Sequence, residues 1–415
     1  MKSFKRTTIG CFVGIFAQAV ITNLTAILFV PMMGLYGFDY RHLGILVAIN
    51  FITQVTADIS FSGVIDRVGY RKIVLPTCVC AAIGLFLFSL SPVIFPGERV
   101  FAGFCIATVL FAFSSGLLEI MLSPIVAAIP GNDKGPAMSL MHSFYAWGQA
   151  VTIIVTTLLI YIFGADKWQF IAVFWMVVPT AAFLIFLGAP MPDTVPEGQR
   201  QSMKELIFKP FYIVALLAIF TGAGAEVAMN QWASTFMEKG LELPKVTGDL
   251  IGMCGFAVML GLGRTLYGIF GSKLNINNVT ICGALLSVVC YIAVGLTTNI
   301  PLNIAACVMC GLGTSLLWPG TIVIASDRYP LAGAWLFAIL AASGDIGAAI
   351  GPWLTGETVD GLMNSQFITS FAQWLGTSSE QAALRFGILI AAVFPLAAAG
   401  CHLVLKRMKG KTEYK

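Results

Sequence analysis

The stretch GVIDRVGYRK, residues 63–72, is short and charged and lies between two long apolar runs. It holds two glycines, an Asp-Arg pair and two further basic residues, a composition that favours a tight polar turn. The flanking runs, 43–62 and 71–91, each have the length of roughly 20 residues that a helix needs to cross a ~30 Å hydrocarbon layer. The pattern predicts two transmembrane helices joined by a tight loop.

The whole chain has the composition of a membrane protein. Hydrophobic residues make up 58% of the 415 residues and charged residues 11%, whereas soluble domains carry about 25% charged residues. Helices satisfy their own backbone hydrogen bonds in lipid, so the predicted fold class is an all-α polytopic membrane protein with twelve transmembrane helices. The predicted spans are 8–36, 43–62, 71–91, 98–129, 135–163, 168–189, 210–236, 247–271, 277–298, 301–326, 331–357 and 382–405.

The spans divide into two halves of six. We predict an N-terminal bundle at 1–189, a cytoplasmic linker at 190–209, which is the longest polar stretch, and a C-terminal bundle at 210–415. An internal repeat supports this division, because GLLEIMLSPIVAA (116–128) aligns with GLGTSLLWPGTIV (311–323) with a glycine and the proline coinciding. Two parallel six-helix repeats are typical of one large class of transporters.

The distribution of basic residues predicts the orientation. Most of the 24 lysines and arginines fall in tails and loops on one side of the membrane, and such loops are cytoplasmic. Both termini are therefore expected in the cytoplasm, with the chain in a plasma (inner) membrane and Arg385 among the few basic residues on the far side. The first apolar run is too long for a cleavable signal. Residues 361–380 are semi-polar and predict a loop with a piece at the interface.

The loop at 63–72 resembles the signature loop of the major facilitator superfamily, at the same place between the second and third spans. Its motif residues are Gly63, Asp66, Arg67, Gly69, Arg71 and Lys72. The resemblance implies two six-helix pseudo-symmetric bundles and a conformational latch, in which Asp66 approaches a helix start of the other half and the arginines hold the turn. The alternative is an ordinary basic loop that holds an Asp-Arg pair by chance.

Ionisable residues inside the spans are candidates for proton coupling, because a charge at the bilayer centre costs about 2.5–3.5 kcal/mol on insertion scales. These candidates are Asp58, Glu119, Glu226, Arg264 and Asp345. Structural pairing is the alternative for each of them. Arg264 is expected to pair with one of the carboxylates, since a guanidinium does not lose its charge. Which carboxylate it pairs with is left open by the sequence.

Helical spacing places further polar and aromatic residues on shared faces. The predicted substrate-binding candidates are Gln18, Asn23, His142, Tyr145, Gln149, Asn230, Gln231, Trp232 and Trp318. Amides, hydroxyls and indoles of this kind suit a polyhydroxylated ligand. Packing is the alternative for each aromatic residue.

The run from 116 to 148 is similar to the fucose–galactose–glucose:proton symporter family. The matching residues are Glu119, Ser123, Pro124, Leu140, Ser143, Phe144 and Gly148. The resemblance implies a monosaccharide permease in which Glu119 takes a proton or binds sugar. The chain departs from that family in three ways: Ser123 replaces an asparagine, His142 and Tyr145 replace amides, and the first span has no acid.

We therefore expect a secondary active transporter of a small polar solute, a monosaccharide being favoured, that works by proton symport through alternating access. Neutral Glu119 would permit the loaded carrier to reorient, and Arg264 would stabilise its deprotonated form. A proton-coupled exporter of drugs or metabolites is the alternative. A non-transporting sensor or a lipid-acting enzyme is a third option. It is disfavoured because no nucleophile–base pair stands out in the sequence.

The expected partners are few. The chain shows no phosphate-binding GxxxxGK[ST] motif, and neither the ten cysteines nor the three histidines show metal spacing. We expect no cofactor, no metal, no enzyme activity and no nucleic-acid partner. The expected partners are the small-molecule substrate, the lipid bilayer and a coupling ion, H⁺ or alternatively Na⁺, acting on a monomer.

Overall fold

A computed structural model describes residues 4–127, 129, 134–192, 207–329 and 334–409. Across these residues the regular secondary structure is helical. The packing divides the chain into two compact units. Unit 1 comprises Met1–Phe38 and Ile49–Gln199, and unit 2 comprises Asp39–Ala48 and Arg200–Lys415.

Unit 1 is organised around its first helix, α1, which packs against α5, α6 and α8. An aromatic cluster connects four helices of this unit. The ring centroids of Phe88 and Phe104 lie 4.9 Å apart, and the Trp168 indole donates to Tyr36 Oη at 3.0 Å. The helices with residues in this unit are α1 (Lys5–Ile27), α2 (Phe29–Tyr36), α3 (Tyr40–Val68), α4 (Tyr70–Ile94), α5 (Val100–Ala127), α6 (Lys134–Phe163), α7 (Trp168–Trp175) and α8 (Val177–Leu187).

The predicted loop at 63–72 is much shorter in the structure. Helix α3 continues to Val68 and α4 begins at Tyr70, so Gly69 alone links them, with φ at +89°. Glycine adopts this left-handed backbone without a Cβ clash. The charged residues extend the helix because nothing in the sequence breaks it before Gly69. The side chains of Asp66 and Arg67 lie outside the described part of the chain, so the latch remains a prediction.

Arg71 binds the end of α8, whereas the sequence predicts that it holds the turn. Its Nη1 donates to the Leu187 carbonyl at 2.6 Å and its Nη2 donates to the Ala189 carbonyl. Arg6 donates to the carbonyls of Leu184 and Ile185, both at 2.9 Å. The last carbonyls of a helix lack partners in the helix itself, and cations are favourable there. Two arginines thus cap the last described helix of unit 1.

Replacing Arg71 with alanine is expected to lower the stability of unit 1 by about 1 kcal/mol, because two carbonyl acceptors lose a donor. Thermal unfolding of the purified full chain in detergent would measure this effect. The matched control is Lys72→Ala, which removes an exposed neighbouring cation. Equal melting temperatures for the two variants would show that the cap contributes nothing.

Unit 2 is organised around α9, which packs against α14 and α17. At the crossing of α9 and α14, a Cβ on Gly351 would lie 2.6 Å from the Gly224 carbonyl oxygen, so only glycine allows the helices to approach this closely. The helices are α9 (Pro210–Thr235), α10 (Cys254–Phe270), α11 (Ile276–Leu296), α12 (Ile300–Thr314), α13 (Leu317–Arg328), α14 (Ala334–Leu362), α15 (Gln366–Leu375), α16 (Ser379–Ala391) and α17 (Val393–Lys409).

Eleven helical stretches in the described residues are long and apolar enough to cross a membrane. The predicted span at 331–357 corresponds to α14, a 29-residue helix that is not among these eleven and carries Asp345, Glu357 and Asp360. Within the semi-polar region 361–380, residues Gln366–Leu375 form a helix. The all-α polytopic fold expected from composition is therefore confirmed.

Residues 39–48, which we name the docking segment, lie in unit 2 although the rest of α3 lies in unit 1. The Tyr40 hydroxyl donates to Glu380 Oε1 at 2.6 Å. Arg41 forms an ion pair with Glu357 at 3.0 Å, and its backbone N–H donates to Asp360. The predicted division of the chain into two bundles did not anticipate this arrangement, because the docking segment continues directly into a long helix.

Enlarging Gly356 is expected to displace the docking segment. A Cβ at Gly356 would lie 2.6 Å from the backbone oxygen of Tyr40, so Gly356→Val forces that backbone away. Hydrogen–deuterium exchange in residues 39–48 should then rise at least tenfold, as expected when local opening becomes easier by about 1.4 kcal/mol. Gly361→Val on the same helix is the control, because no atom lies within 4 Å of its Cβ. Unchanged protection in Gly356→Val would contradict the close approach.

Candidate functional site

In unit 1 the central ionisable residue is Glu119, on α5. Its Oε2 accepts a hydrogen bond from Gln18 Nε2 of α1 at 2.7 Å. Gln18 is 5% exposed, whereas Glu119 is half-buried. The amide can donate to the charged carboxylate, and its oxygen can accept from the neutral acid. This pair therefore tolerates both protonation states of Glu119.

A chain of hydrogen bonds lies one turn from Glu119. The Ser115 hydroxyl donates to Gln54 Oε1 at 2.9 Å, and Gln54 Nε2 donates to Asn50 Oδ1 at 3.0 Å. Asp58 is also buried, one turn beyond Gln54 on α3. Asn50 and Gln54 were not predicted as site residues from the sequence. Their four-residue spacing with Asp58 on one helix face was the available signal.

The other unit 1 candidates lie in different surroundings. His142 and Tyr145 on α6 are half-buried, and Gln149 is 1% exposed. Asn23 is fully buried and donates to the Ala19 carbonyl of its own helix at 2.8 Å. Their roles in substrate binding remain predictions. The side chains of Ser123, Pro124 and Leu140 lie outside the described residues.

In unit 2 the central ionisable pair is Glu226 of α9 with Arg264 of α10. Arg264 Nη2 lies 3.0 Å from Glu226 Oε1 and 3.1 Å from Oε2, and Nε donates to the Ser315 carbonyl at 3.1 Å. The side chain of Glu226 is 12% exposed and that of Arg264 is 14% exposed. The structure thus assigns Arg264 the partner that the sequence left open. The carboxylate that Arg264 stabilises is Glu226, and the sequence hypothesis had named Glu119 for that role.

The remaining unit 2 candidates are mostly buried. Trp232 is fully buried, and its indole donates to the Pro352 carbonyl at 3.0 Å. Gln231 is also fully buried and Asn230 is 6% exposed. Trp318 is half-buried beside Gly344. Asp345 is 2% exposed on α14.

Arg385 is a buried cation on α16 of unit 2. It lies near the far-side end of the predicted span 382–405, is 2% exposed and donates to the Val294 carbonyl at 3.0 Å. Its guanidinium also lies 5.3 Å from the Phe236 ring centroid. The Ser378–Gln381 capping box starts α16 just before this residue, which puts Arg385 inside a helix. The sequence analysis also missed the buried ion pair of Lys245 with Asp249.

Helices long enough to cross a membrane, arranged in two units that each hold polar and ionisable side chains in contact, are typical of polytopic membrane transporters. The family model of the Major Facilitator Superfamily matches residues 11–352. The chain belongs to this superfamily and is an integral membrane transporter.

Comparison with curated proteins gives one named relative. The chain is 25% identical over 318 residues to the "Staphyloferrin B transporter" of Staphylococcus aureus (strain NCTC 8325 / PS 47). The aligned region covers 72% of this chain and 73% of the relative.

Solved structures of the same fold include transporters with different substrates. A bacterial homologue of the human lysosomal transporter Spinster, inward-facing and occupied, aligns with a TM-score of 0.80, 13% identity and 100% of both chains. A D-xylose–proton symporter aligns with a TM-score of 0.76 at 14% identity, over 95% of this chain and 97% of the other. A nucleoside transporter aligns with a TM-score of 0.74 at 14% identity, over 96% of this chain and 99% of the other. At these identities the likeness shows the fold alone.

Proposed function

We propose that the chain is a secondary active transporter that carries a small polar solute together with a proton by alternating access. The observation that supports this most directly is Glu119, a half-buried carboxyl whose hydrogen-bond donor is the neutral amide of Gln18. Among the described residues no cation forms an ion pair with it. A carboxyl placed in this way can gain and lose a proton without breaking a salt bridge, which suits a coupling residue.

A monosaccharide is the favoured solute. Glu119 contacts the amide of Gln18, and one turn away Ser115 starts a hydrogen-bonded chain with the amides of Gln54 and Asn50. Such groups both donate and accept hydrogen bonds, which suits the hydroxyls of a sugar. The sequence resemblance to sugar permeases supports this choice, and so does the shared fold with a D-xylose–proton symporter. In this proposal both termini lie in the cytoplasm and the monomer is active.

A second candidate is a proton-coupled exporter of drugs or metabolites. The 25% identical relative named for staphyloferrin B supports it, because that name describes a solute other than a monosaccharide. Half-buried aromatic residues such as Trp318 and Tyr145 would suit a less polar cargo.

Transport by the purified full chain in liposomes separates the two candidates. Labelled xylose, galactose, glucose, fucose and uridine, and a fluorescent lipophilic cation, are offered with a pH gradient, with a sodium gradient or with neither. Symport predicts that at least one sugar accumulates under an acid-outside gradient and that a protonophore abolishes this. Protein-free liposomes are the control. Accumulation of the cation alone would favour the exporter, and accumulation driven by sodium alone would exclude the proton as coupling ion.

A further inference from the structure

The Arg264 guanidinium has donors that no residue in the described chain uses. An arginine has five N–H donors. Nε serves the Ser315 carbonyl and Nη2 serves both oxygens of Glu226. Nη1 forms no hydrogen bond with the described residues, and it is not one of the unpartnered polar atoms that are fully buried. Part of the 14% of the side chain that is exposed therefore belongs to a free, charged donor group.

We propose that Nη1 of Arg264 binds an anionic group of the transported solute, so that the solute is a hydroxylated carboxylate such as a sugar acid. This inference rests on the proposed transport function and narrows its substrate class. The guanidinium is already fixed by Glu226 and by the Ser315 carbonyl. A solute therefore meets a preorganised donor, and little side-chain freedom is lost on binding.

The charge balance of the pair distinguishes an anion from a neutral sugar. In the structure the negative charge of Glu226 compensates Arg264 at 3.0 Å. If Glu226 receives a proton, the guanidinium loses this compensation inside an apolar unit, which is unfavourable. A neutral hydroxyl offers only a dipole in return. A carboxylate restores the balance and matches the planar donors of arginine.

This arrangement would couple the two ligands of the carrier. An ionised Glu226 competes with the solute anion for one guanidinium, whereas a protonated Glu226 leaves it to the solute. The proton and the anion therefore favour each other's binding, although they occupy different residues. Among the described residues Glu226 is the carboxylate that forms an ion pair with Arg264.

Binding of matched solute pairs to the purified full chain tests the proposal without any gradient. The pairs are galactose with galacturonate, glucose with gluconate, and lactamide with lactate, each measured by isothermal titration. Wild type is expected to bind at least one anionic member tenfold or more tightly than its neutral partner. Glu226→Gln should tighten anion binding several-fold, because it removes the competing carboxylate. Lys273→Gln, which removes an exposed cation of the same unit, should behave as wild type.

Arg264→Gln should lose the preference for the anion. If that variant does not fold, the double variant E226Q/R264Q supplies the same test with no uncompensated charge. The proposal is overturned if no pair shows a preference for the anion in wild type, or if the preference survives in the double variant. Failure of the transport proposal is a separate result, because it concerns accumulation driven by a gradient and not equilibrium binding.

Discussion

Replacing Glu119 with glutamine is expected to abolish solute accumulation driven by a pH gradient while exchange of solute across the membrane continues. Glutamine has the same shape and can keep a hydrogen bond to Gln18, which lies 2.7 Å from the carboxylate in the structure. It cannot carry a proton. The variant therefore resembles the protonated carrier, which is the form that reorients in our proposal.

The size of the effect follows from the driving force. A gradient of one pH unit is worth about 1.4 kcal/mol per proton, which supports about a tenfold accumulation ratio. In Glu119→Gln this ratio should fall to about one when a single proton is coupled, while counterflow of labelled solute proceeds near the wild-type rate. Both quantities are measured in the same proteoliposomes.

Glu98→Gln is the matched control for this experiment. Glu98 lies in the same unit, in the exposed turn Gly97–Arg99, so its loss should not change accumulation. Accumulation at the wild-type level in Glu119→Gln would remove Glu119 from the coupling mechanism. Loss of counterflow together with accumulation would indicate a role in solute binding.

Replacing Arg264 with glutamine is expected to lower the free energy of unfolding by about 3 kcal/mol, at the lower end of the range for breaking a buried ion pair. Both side chains are more than four-fifths buried, so the variant leaves Glu226 without its cation in an apolar unit. The Ser315 carbonyl also loses a donor. Thermal unfolding in detergent, monitored by retention on size-exclusion chromatography, would report the loss.

The double variant E226Q/R264Q tests whether the cost comes from the uncompensated charge. Since two neutral amides need no counter-charge, the double variant should recover most of the lost stability. Arg264→Lys should lie between the two, because lysine keeps the charge and loses the donation from Nε. If the double variant is as unstable as Arg264→Gln, the cost arises from lost packing and the ion pair contributes little.

The sequence predicts which positions matter better than it predicts their partners. Glu226 and Arg264 stand out because each is a single charge in an apolar run. Their pairing depends on how α9 and α10 pack, and helical spacing within one chain segment carries no information on that contact. Asn50 and Gln54 were not predicted for the same reason. In the sequence they are ordinary polar residues, and only the structure shows that Ser115 of another helix donates to Gln54, which donates to Asn50.

Segment boundaries were the second point that the sequence left undetermined. Hydropathy finds the apolar part of a helix, but a helix ends where its backbone is broken. For this reason α3 continues from its apolar run through charged residues to Val68 and ends only at Gly69. The start of α16 differs for a related reason, because the capping residues Ser378 and Gln381 begin the helix at Ser379, ahead of the predicted span 382–405.

Helix α3 contributes residues to both compact units. Its first residues, 39–48, belong to unit 2 and its later residues to unit 1, yet the helix is continuous. From Ala48 to Gln54 helix α3 has no proline or glycine at which a sharp kink would be expected. The contacts of Tyr40 and Arg41, and not a loop, keep the first residues of α3 in unit 2, so their loss is expected to raise hydrogen–deuterium exchange in residues 39–48.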